Sequence, residues 1–339
     1  MKKLLFGLIC AGFIVTAVGC GTKNDTTTGA NNNGNSVTSG ATDNVGDGTN
    51  NNNQADNESA QAEELTIKHS KGETTVKLNP SKVVVFDMGI LDIIDALGID
   101  AELAAPVSSI PEYLSEYANV TNAGGIKEPD LEAIFSFEPD VIFISGRQSD
   151  YYDELNKIAP TVYVDLEANN YMEDLKNNVT NIGLLFGKTA EAEAKLQEIE
   201  TRIEEVKAAV DASEEKGLIV LVNDGNISAY GSGSRFGIIH DVLGVKQADS
   251  NIEVSTHGQS ASYEYISEIN PDIIFVVDRT AVVGGTATVS ETLNNELVNG
   301  TNAAKNNKII SLDPEAWYLA GGGLTSVLLM VNEVGAAFQ

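Results

Sequence analysis

From about residue 65 onward, the apolar residues of this chain fall into short continuous runs separated by segments of helical periodicity. Runs of four or five apolar residues are too short for helices and are typical of buried parallel strands. Strands are therefore predicted at residues 83–86, 141–144, 161–164, 218–222, 273–277 and 308–312. Because helical segments alternate with these runs, the pattern predicts doubly wound α/β architecture.

One stretch of this pattern occurs twice. Residues 132–147 read EAIFSFEPDVIFISGR and residues 264–279 read EYISEINPDIIFVVDR, with seven of sixteen positions identical. Each copy predicts a helix, a Pro-Asp turn and a buried strand, and an arginine follows the strand. The repeat indicates an internal duplication and therefore two related lobes.

The arginines that end the two copies, Arg147 and Arg279, are placed where binding groups concentrate. In open α/β sheets, ligands bind outside the carboxyl ends of the strands. Either arginine alone is equally well explained as an ordinary surface charge. Their duplicated placement favours a cleft to which each lobe contributes one arginine.

A helical tract over residues 169–212, interrupted at Gly187, separates the copies. Its second part is predicted to start with Thr189 as N-cap and carries one apolar stripe. The stripe consists of Leu196, Ile199, Ile203, Val206 and Val210. The predicted fold is thus two Rossmann-like lobes, residues 65–168 and 213–339, joined by a long helix that permits only small relative motion.

Several local elements complete this prediction. Hairpins are expected around Ser70-Lys71-Gly72 and around Asn223-Asp224-Gly225-Asn226. A helix is expected at residues 236–243, a loop at Asp313 to Gly323, and a final helix at residues 324–338.

The amino terminus has the pattern of an export signal. Lys2 and Lys3 precede an uncharged run that ends at Cys20, which predicts a signal peptide over residues 1–19. Cys20 resembles the lipid-modified cysteine of bacterial lipoproteins, although Ala17-Val18-Gly19 also suits conventional cleavage. Residues 20–64 then contain the lipidated cysteine and a polar tether with too few apolar residues to fold.

Charge narrows the possible partners. The formal net charge is −28, and removal of the signal peptide with its two lysines makes it more negative still. Such a surface repels nucleic acid and anionic lipid headgroups. Clustered arginines in this setting indicate a locally positive site for an anionic ligand.

The candidate binding residues are Arg147, Arg235, Arg279, His257 and Tyr318, which are all predicted to lie in loops beside strand ends. The sequence contains no tightly spaced metal-ligand cluster, nucleophile elbow or phosphate-binding loop. A binding protein is therefore favoured over an enzyme.

From about residue 65, the chain resembles the solute-binding proteins of iron-siderophore ABC importers, which have the class III periplasmic-binding-protein fold with a helical backbone. Four segments resemble the branch that takes catecholate siderophores such as petrobactin and enterobactin-type fragments. They are Ser145–Ser149, Ser234–Asp241, Thr256–Gly258 and Trp317–Ala320.

This resemblance implies roles for particular residues. Arg147, Arg235 and Arg279 would line the cleft, while His257 and Tyr318 would coordinate the iron of the bound complex. Glu132 and Glu264, which match the docking glutamates of related importers, would contact an ABC permease dimer. The resemblance also implies a lipid-anchored monomer with no permanent cofactor, whose cargo is an Fe(III)–siderophore complex.

Other functions remain open at this stage. A protein of the same transport class could bind haem, a corrinoid or a hydroxamate siderophore, although hydroxamate complexes are commonly neutral or cationic and suit three arginines poorly. A surface hydrolase or an adhesion protein would be a different class, and the sequence shows no nucleophile paired with a base. The Glu132 and Glu264 carboxylates also suit helix amino termini without any partner.

Overall fold

The computed structural model describes residues 63–255 and 257–339, so the predicted signal peptide, Cys20 and the tether lie outside the described residues. The described part begins with a hairpin of β1 (Glu64–His69) and β2 (Gly72–Lys77). The two strands pair antiparallel through the Ser70-Lys71 turn, as the alternating pattern predicts.

The first α/β layer follows this hairpin. Its elements are, in chain order, β3 (Lys82–Val85), α1 (Met88–Ala96), β4 (Glu102–Ala105), β5 (Thr121–Asn122), α2 (Leu131–Phe137), β6 (Val141–Ile144), α3 (Tyr152–Leu155) and β7 (Thr161–Tyr163). Short 3₁₀ helices lie at Val107–Ser109, Glu112–Asn119, Gly146–Tyr151 and Ala168–Asn170. The strands form a parallel sheet in the order β5-β4-β3-β6-β7, which is the doubly wound arrangement expected.

Two helices then lead to the second layer: α4 (Tyr171–Leu185) and α5 (Thr189–Asp211). The predicted stripe of α5 is buried along its whole length. The predicted cap is wrong, because Thr189 is already the first helical residue and Lys188 holds the N-cap position without a side-chain hydrogen bond.

The second layer repeats the plan with additions. Its elements are β8 (Lys216–Asn223), β9 (Asn226–Tyr230), α6 (Ile238–Asp241), β10 (Lys246–Gln247), β11 (Gln259–Ser260), α7 (Tyr263–Ile269), β12 (Ile273–Asp278), α8 (Arg279–Val283), α9 (Val289–Leu293), α10 (Glu296–Asn299), α11 (Asn302–Lys305), β13 (Ile309–Leu312), α12 (Pro314–Tyr318) and α13 (Leu324–Ala336). The sheet order is β11-β9-β8-β12-β13, with β10 beside the start of β8. Strands β8, β12 and β13 are parallel, and β8 and β9 form the predicted hairpin.

The segment predicted as a loop between Asp313 and Gly323 contains helix α12. Asp313 caps this helix by accepting hydrogen bonds from the backbone N–H groups of Glu315 and Ala316. Pro314 occupies its first turn, where its missing N–H costs nothing. The loop prediction was therefore wrong, and Tyr318 lies at the end of a helix.

The duplicated unit has matching local structure in both copies. Helices α2 and α7 end at residues in the left-handed conformation, Glu138 with φ 55° and Asn270 with φ 47°. The Pro-Asp turns then place Asp140 and Asp272 as acceptors for the backbone N–H of Lys82 and Lys216, at 3.0 Å each. Each aspartate thus fixes the start of the neighbouring central strand.

The core connects the two layers. Alternate residues of β6 and β12, such as Phe143 and Phe275, point into a cluster that also includes the buried faces of α1, α4, α5 and α13. The opposite faces of the sheets pack into separate clusters. The inner faces of both sheets therefore share one core through these helices. Phe135 of α2 lies outside this core and is 68% exposed.

Candidate functional site

Arg147 and Arg279 are held in place just beyond the ends of β6 and β12. Arg147 lies in the 3₁₀ turn Gly146–Tyr151. The Ser145 N–H donates to Gln148 Oε1, and the Gln148 N–H donates to the Ser145 carbonyl, at 3.1 Å each. Arg279 is the first residue of α8, whose N-cap is Asp278. Both side chains are half-buried. The duplicated unit therefore positions one arginine at the carboxyl edge of each sheet, as predicted.

Both arginines reach the same residue, Tyr318. Nη2 of Arg147 donates to the Tyr318 carbonyl oxygen at 2.6 Å. Nε of Arg279 donates to the Tyr318 hydroxyl at 2.8 Å, while its Nη1 donates to Asn223 Oδ1 at 2.5 Å. The guanidinium carbons lie 5.7 Å and 5.6 Å from the centre of the phenol ring. The two layers thus meet through Tyr318.

Arg235 completes the cluster from the turn between β9 and α6. Its guanidinium carbon lies 4.2 Å from the centre of the Tyr318 ring, and its Nη2 donates to the Tyr318 carbonyl oxygen. Asp241 shapes this turn by accepting a hydrogen bond from the backbone N–H of Gly233 at 2.7 Å. Stacked guanidinium and phenol groups of this kind attract each other through the ring quadrupole.

Three of the four arginines in the whole sequence therefore contact one tyrosine. Among the described residues, none of the three forms an ion pair with a carboxylate. A concentrated, uncompensated positive charge in so acidic a protein is suited to binding an anion.

The cluster changes the ionisation of its members. Burial alone would raise the pKa of Tyr318, but the hydrogen bond from Arg279 and the charges of Arg235, Arg279 and Arg147 outweigh it, so the pKa is lowered. Although Arg235 is partly accessible to solvent, desolvation of its guanidinium, together with the charge of Arg147, lowers its pKa. The site thus makes the phenolate, which is the form of tyrosine that binds a metal, easier to form than in an ordinary tyrosine.

In a titration toward high pH, Tyr318 should lose its proton at a lower pH than an ordinary tyrosine. We expect the wild-type protein to show an early tyrosinate phase in near-ultraviolet absorbance, and the Tyr318→Phe variant to lack it. Tyr117→Phe is the control, because burial and the hydrogen bond to Asp95 raise the pKa of Tyr117. An early phase that survives in Tyr318→Phe would contradict the lowered pKa.

The structure does not bring His257 into the same set of contacts. His257 is exposed on the loop before β11, and its backbone N–H donates to Ser255 Oγ at 3.2 Å. Its neighbour Gly258, with φ 73°, packs so closely on the Tyr230 ring that a Cβ atom there would lie 2.7 Å from ring carbons. The loop is therefore anchored beside the cluster, and iron coordination by His257 stays a prediction.

Two residues of the site were missed from sequence. Asn223, at the end of β8, accepts the hydrogen bond from Arg279 described above. Tyr230, at the end of β9, packs edge-to-face on Phe236, and Arg235, Tyr318 and Arg279 all influence its pKa, which burial raises. Asn223 lies at the carboxyl end of β8, so the strand-end rule for open α/β sheets could have found it. Tyr230 lies outside that rule, because β9 runs antiparallel to β8 and Tyr230 pairs with Ile219.

Glu132 and Glu264 lie in the first turns of α2 and α7, and both are exposed. The caps of these helices are other residues, Asp130 and Ser262. Neither glutamate is therefore needed to cap its helix.

Residues 63–255 and 257–339 contain no group of three or more His, Cys, Asp or Glu side chains arranged to hold a metal ion. Over the same residues, no helix combines the length and apolarity needed to cross a membrane.

Comparison with known proteins identifies the family. Residues 83–316 match the family described as periplasmic binding protein. The chain is 45% identical over 277 residues to the petrobactin-binding protein YclQ of Bacillus subtilis, covering 80% of this chain and 87% of that protein. It is 35% identical over 284 residues to the ferric-anguibactin-binding protein FatB of Vibrio anguillarum, covering 81% and 88%.

Solved structures agree with this assignment. The crystal structure of YclQ superposes with a TM-score of 0.80 at 43% identity, covering 82% of this chain and 99% of that one. The periplasmic catecholate-siderophore binding protein VctP of Vibrio cholerae superposes with a TM-score of 0.76 at 35% identity, covering 81% and 100%. The chain therefore belongs to the periplasmic binding protein family and has its fold of two α/β lobes joined by a long helix.

Proposed function

We propose that this protein captures a ferric catecholate siderophore between its two lobes and delivers it to an ABC permease without performing chemistry on it. The convergence of Arg147, Arg235 and Arg279 on Tyr318 carries this proposal. A ferric catecholate complex is an anion with a large aromatic surface, and arginine meets it both as a charge and as a planar stacking partner. Similarity to relatives named for petrobactin, anguibactin and catecholate binding supports the same ligand class.

Protein ligation of the iron is part of the proposal. A siderophore with two catechols leaves two of the six iron positions open, and the Tyr318 phenolate and the His257 imidazole would fill them. The free pKa of tyrosine is about 10, so at neutral pH the phenolate requires help from nearby cations and from the metal. The arginines already lower the Tyr318 pKa before any ligand arrives.

The cellular setting follows from the remaining sequence features. We assign residues 1–19 as signal peptide, Cys20 as the lipidated residue and residues 20–64 as a tether, with the lobes at residues 65–168 and 213–339. The protein would then be a monomer anchored to the outer face of the cytoplasmic membrane. Glu132 and Glu264 would dock it on the permease dimer, and nucleic acid would not be a partner.

A fluorescence titration tests the ligand class. The sequence contains a single tryptophan, Trp317, which is 2% exposed and directly precedes Tyr318. The fluorescence of Trp317 should be quenched by ferric bis-catechol, tris-catechol and citrate-catecholate complexes at lower concentrations than by ferric hydroxamate complexes. Tighter binding of a hydroxamate, haem or corrinoid would overturn the catecholate assignment.

Ligation by Tyr318 and His257 should be visible in the absorption spectrum. We expect the charge-transfer band of a ferric bis-catecholate complex to shift when it binds the wild-type protein, because a phenolate and an imidazole join the iron. The shift should be lost in the Tyr318→Phe, His257→Ala double variant and kept in Tyr117→Phe. A band that shifts equally in the double variant would rule out protein ligation even if binding survives.

A further inference from the structure

A buried carboxylate lies away from the arginine cluster, in helix α1. Asp92 is 0% exposed. Its Oδ1 accepts a hydrogen bond from the backbone N–H of Thr325 at 2.8 Å, and its Oδ2 accepts from the backbone N–H of Ser326 at 2.8 Å and from the Tyr113 hydroxyl at 3.0 Å. Thr325 and Ser326 form the first turn of α13. Asp92 therefore caps the last helix of the chain from the first α/β layer.

The residues between Tyr318 and that helix form a tight turn, Leu319–Gly323, which we call the post-tyrosine turn. A Cβ atom on Gly323 would lie 2.3 Å from the Asp92 carboxyl carbon, so the turn lies directly against Asp92. Gly89, one turn earlier in α1, also lies against this turn, because a Cβ there would be 2.8 Å from the carbonyl carbon of Gly322. The turn is wedged against one face of α1.

Hydrogen bonds fix the same turn internally. Ser326 Oγ donates to the Ala320 carbonyl at 2.5 Å and accepts from the Gly323 N–H at 3.1 Å. The Tyr171 hydroxyl donates to the Gly321 carbonyl at 2.5 Å. Because Ser326 is also held by Asp92, a displacement of α13 relative to α1 would be passed through Ser326 to Ala320, two residues after Tyr318.

We propose that Asp92 is a positioning residue for Tyr318: by holding the first turn of α13 against α1, it fixes the post-tyrosine turn and thereby places the phenol among the three arginines. Two of these arginines, Arg235 and Arg279, come from the second α/β layer. Asp92 thus ties the position of the phenol to helix α1 of the first layer, while Arg235 and Arg279 hold it from the second layer. Only the consequence for ligand binding rests on the proposed function.

Replacement of the carboxylate should leave the protein folded. Burial raises the pKa of Asp92, and the hydrogen bonds from Thr325, Ser326 and Tyr113 only partly oppose this. A carboxyl whose pKa is raised on folding stabilises the fold at low pH, and this contribution is lost as the pH rises through the folded-state value. At neutral pH the Asp92→Asn substitution removes hydrogen bonds, which lowers the free energy of unfolding. It also removes a buried negative charge, which raises that free energy and partly offsets the loss.

The first test needs no ligand. In the Asp92→Asn variant, an amide N–H₂ group replaces one of the two carboxylate oxygens, so either the Thr325 or the Ser326 N–H loses its acceptor. The post-tyrosine turn should then shift, and Tyr318 should move away from the arginines. We expect its early tyrosinate phase to move to higher pH. Asp95→Asn is the matched control, because Asp95 lies in the same helix and accepts from Tyr117 at 3.0 Å. An early phase that is identical in wild type and Asp92→Asn would overturn the proposal.

The second test uses ferric bis-catecholate. Asp92→Asn should bind it at least tenfold more weakly than wild type and, at saturation, should lack the band shift, although Tyr318 and all three arginines remain. Asp95→Asn should behave as wild type. Wild-type affinity together with an unchanged band in Asp92→Asn would overturn the positioning role.

A second variant tests the proposal in case Asp92→Asn does not fold. If circular dichroism shows that Asp92→Asn is unfolded, Ser326→Ala replaces it, since this change removes the Oγ bonds to the post-tyrosine turn and keeps Asp92. It should shift the tyrosinate phase in the same direction, and an unshifted phase would overturn the proposal. If the wild-type protein binds no ferric catecholate, the proposed function fails, while the ligand-free titration still decides the role of Asp92.

Discussion

The Arg279→Ala variant should bind a ferric catecholate complex about 1.5–3 kcal/mol more weakly than wild type, the range for one hydrogen bond to a charged group. This corresponds to a roughly 10- to 150-fold higher Kd. The reason is that Arg279 is already held in place by Asn223 and by the Tyr318 hydroxyl, so binding costs it little side-chain entropy. Arg147→Ala and Arg235→Ala should lose affinity in the same range.

A neutral analogue of the complex separates charge from structure. Removal of an arginine should cost the anionic complex more than the neutral one, because only the former gains from the positive charge. Arg202→Ala is the control, since Arg202 lies on α5, where it pairs with Glu205 at 2.7 Å. Equal losses for charged and neutral ligands would show that the cleft arginines only maintain the fold.

The placement of Arg147 and Arg279 was predictable because it is encoded locally. The same three features recur at a fixed offset: a Pro-Asp turn, a short apolar run and an arginine after it. The run predicts a buried strand, and the arginine then lies at the carboxyl end of that strand. The strand-end rule for open α/β sheets then brings residues far apart in sequence to one edge. Tyr318 was a candidate because it follows a predicted strand end, and the resemblance to a known family supplied its expected role.

What the sequence did not provide were the contacts that cross the molecule. Asp92 reaches Thr325, 233 residues away, and nothing in the local pattern of α1 names that partner. The only signal is an acid inside a continuous apolar run, Ile90-Leu91-Asp92-Ile93-Ile94. Such an acid must be hydrogen-bonded if it is buried, but the donor depends on how α13 packs on α1.

Helix α12 was missed for a different reason. The Asp313-Pro314 pair is a recognisable helix start, but the helix is only five residues long and is followed by Gly321, Gly322 and Gly323. The glycine run favoured a loop over the whole segment. The structure shows that the glycines instead serve close packing, since Gly322 and Gly323 leave no room for a side chain against Leu166 and Asp92.

Charge reversal at both copies of the duplicated glutamate, Glu132→Arg with Glu264→Arg, should abolish uptake of the ferric siderophore by cells. Both carboxylates are exposed in the first turns of equivalent helices, and neither caps its helix, since Asp130 and Ser262 do so. Two equivalent acids, one on each lobe, would fit basic groups on a two-fold permease. If these acids dock on basic groups of the permease, arginines at both positions would repel those groups, and docking would be lost while the cleft stays intact.

The control for this prediction carries the same change in net charge. Glu193→Arg with Glu200→Arg alters two exposed acids of α5 and should leave uptake normal. Uptake of radiolabelled iron complex by cells that express each double variant measures the effect, and fluorescence titration of the purified proteins measures affinity. Normal uptake by the Glu132, Glu264 variant would show that these acids are only favourable charges at helix amino termini. Reduced affinity in solution would instead mean that the substitutions damage the lobes, because neither Glu132 nor Glu264 is among the hydrogen-bond partners of the three arginines.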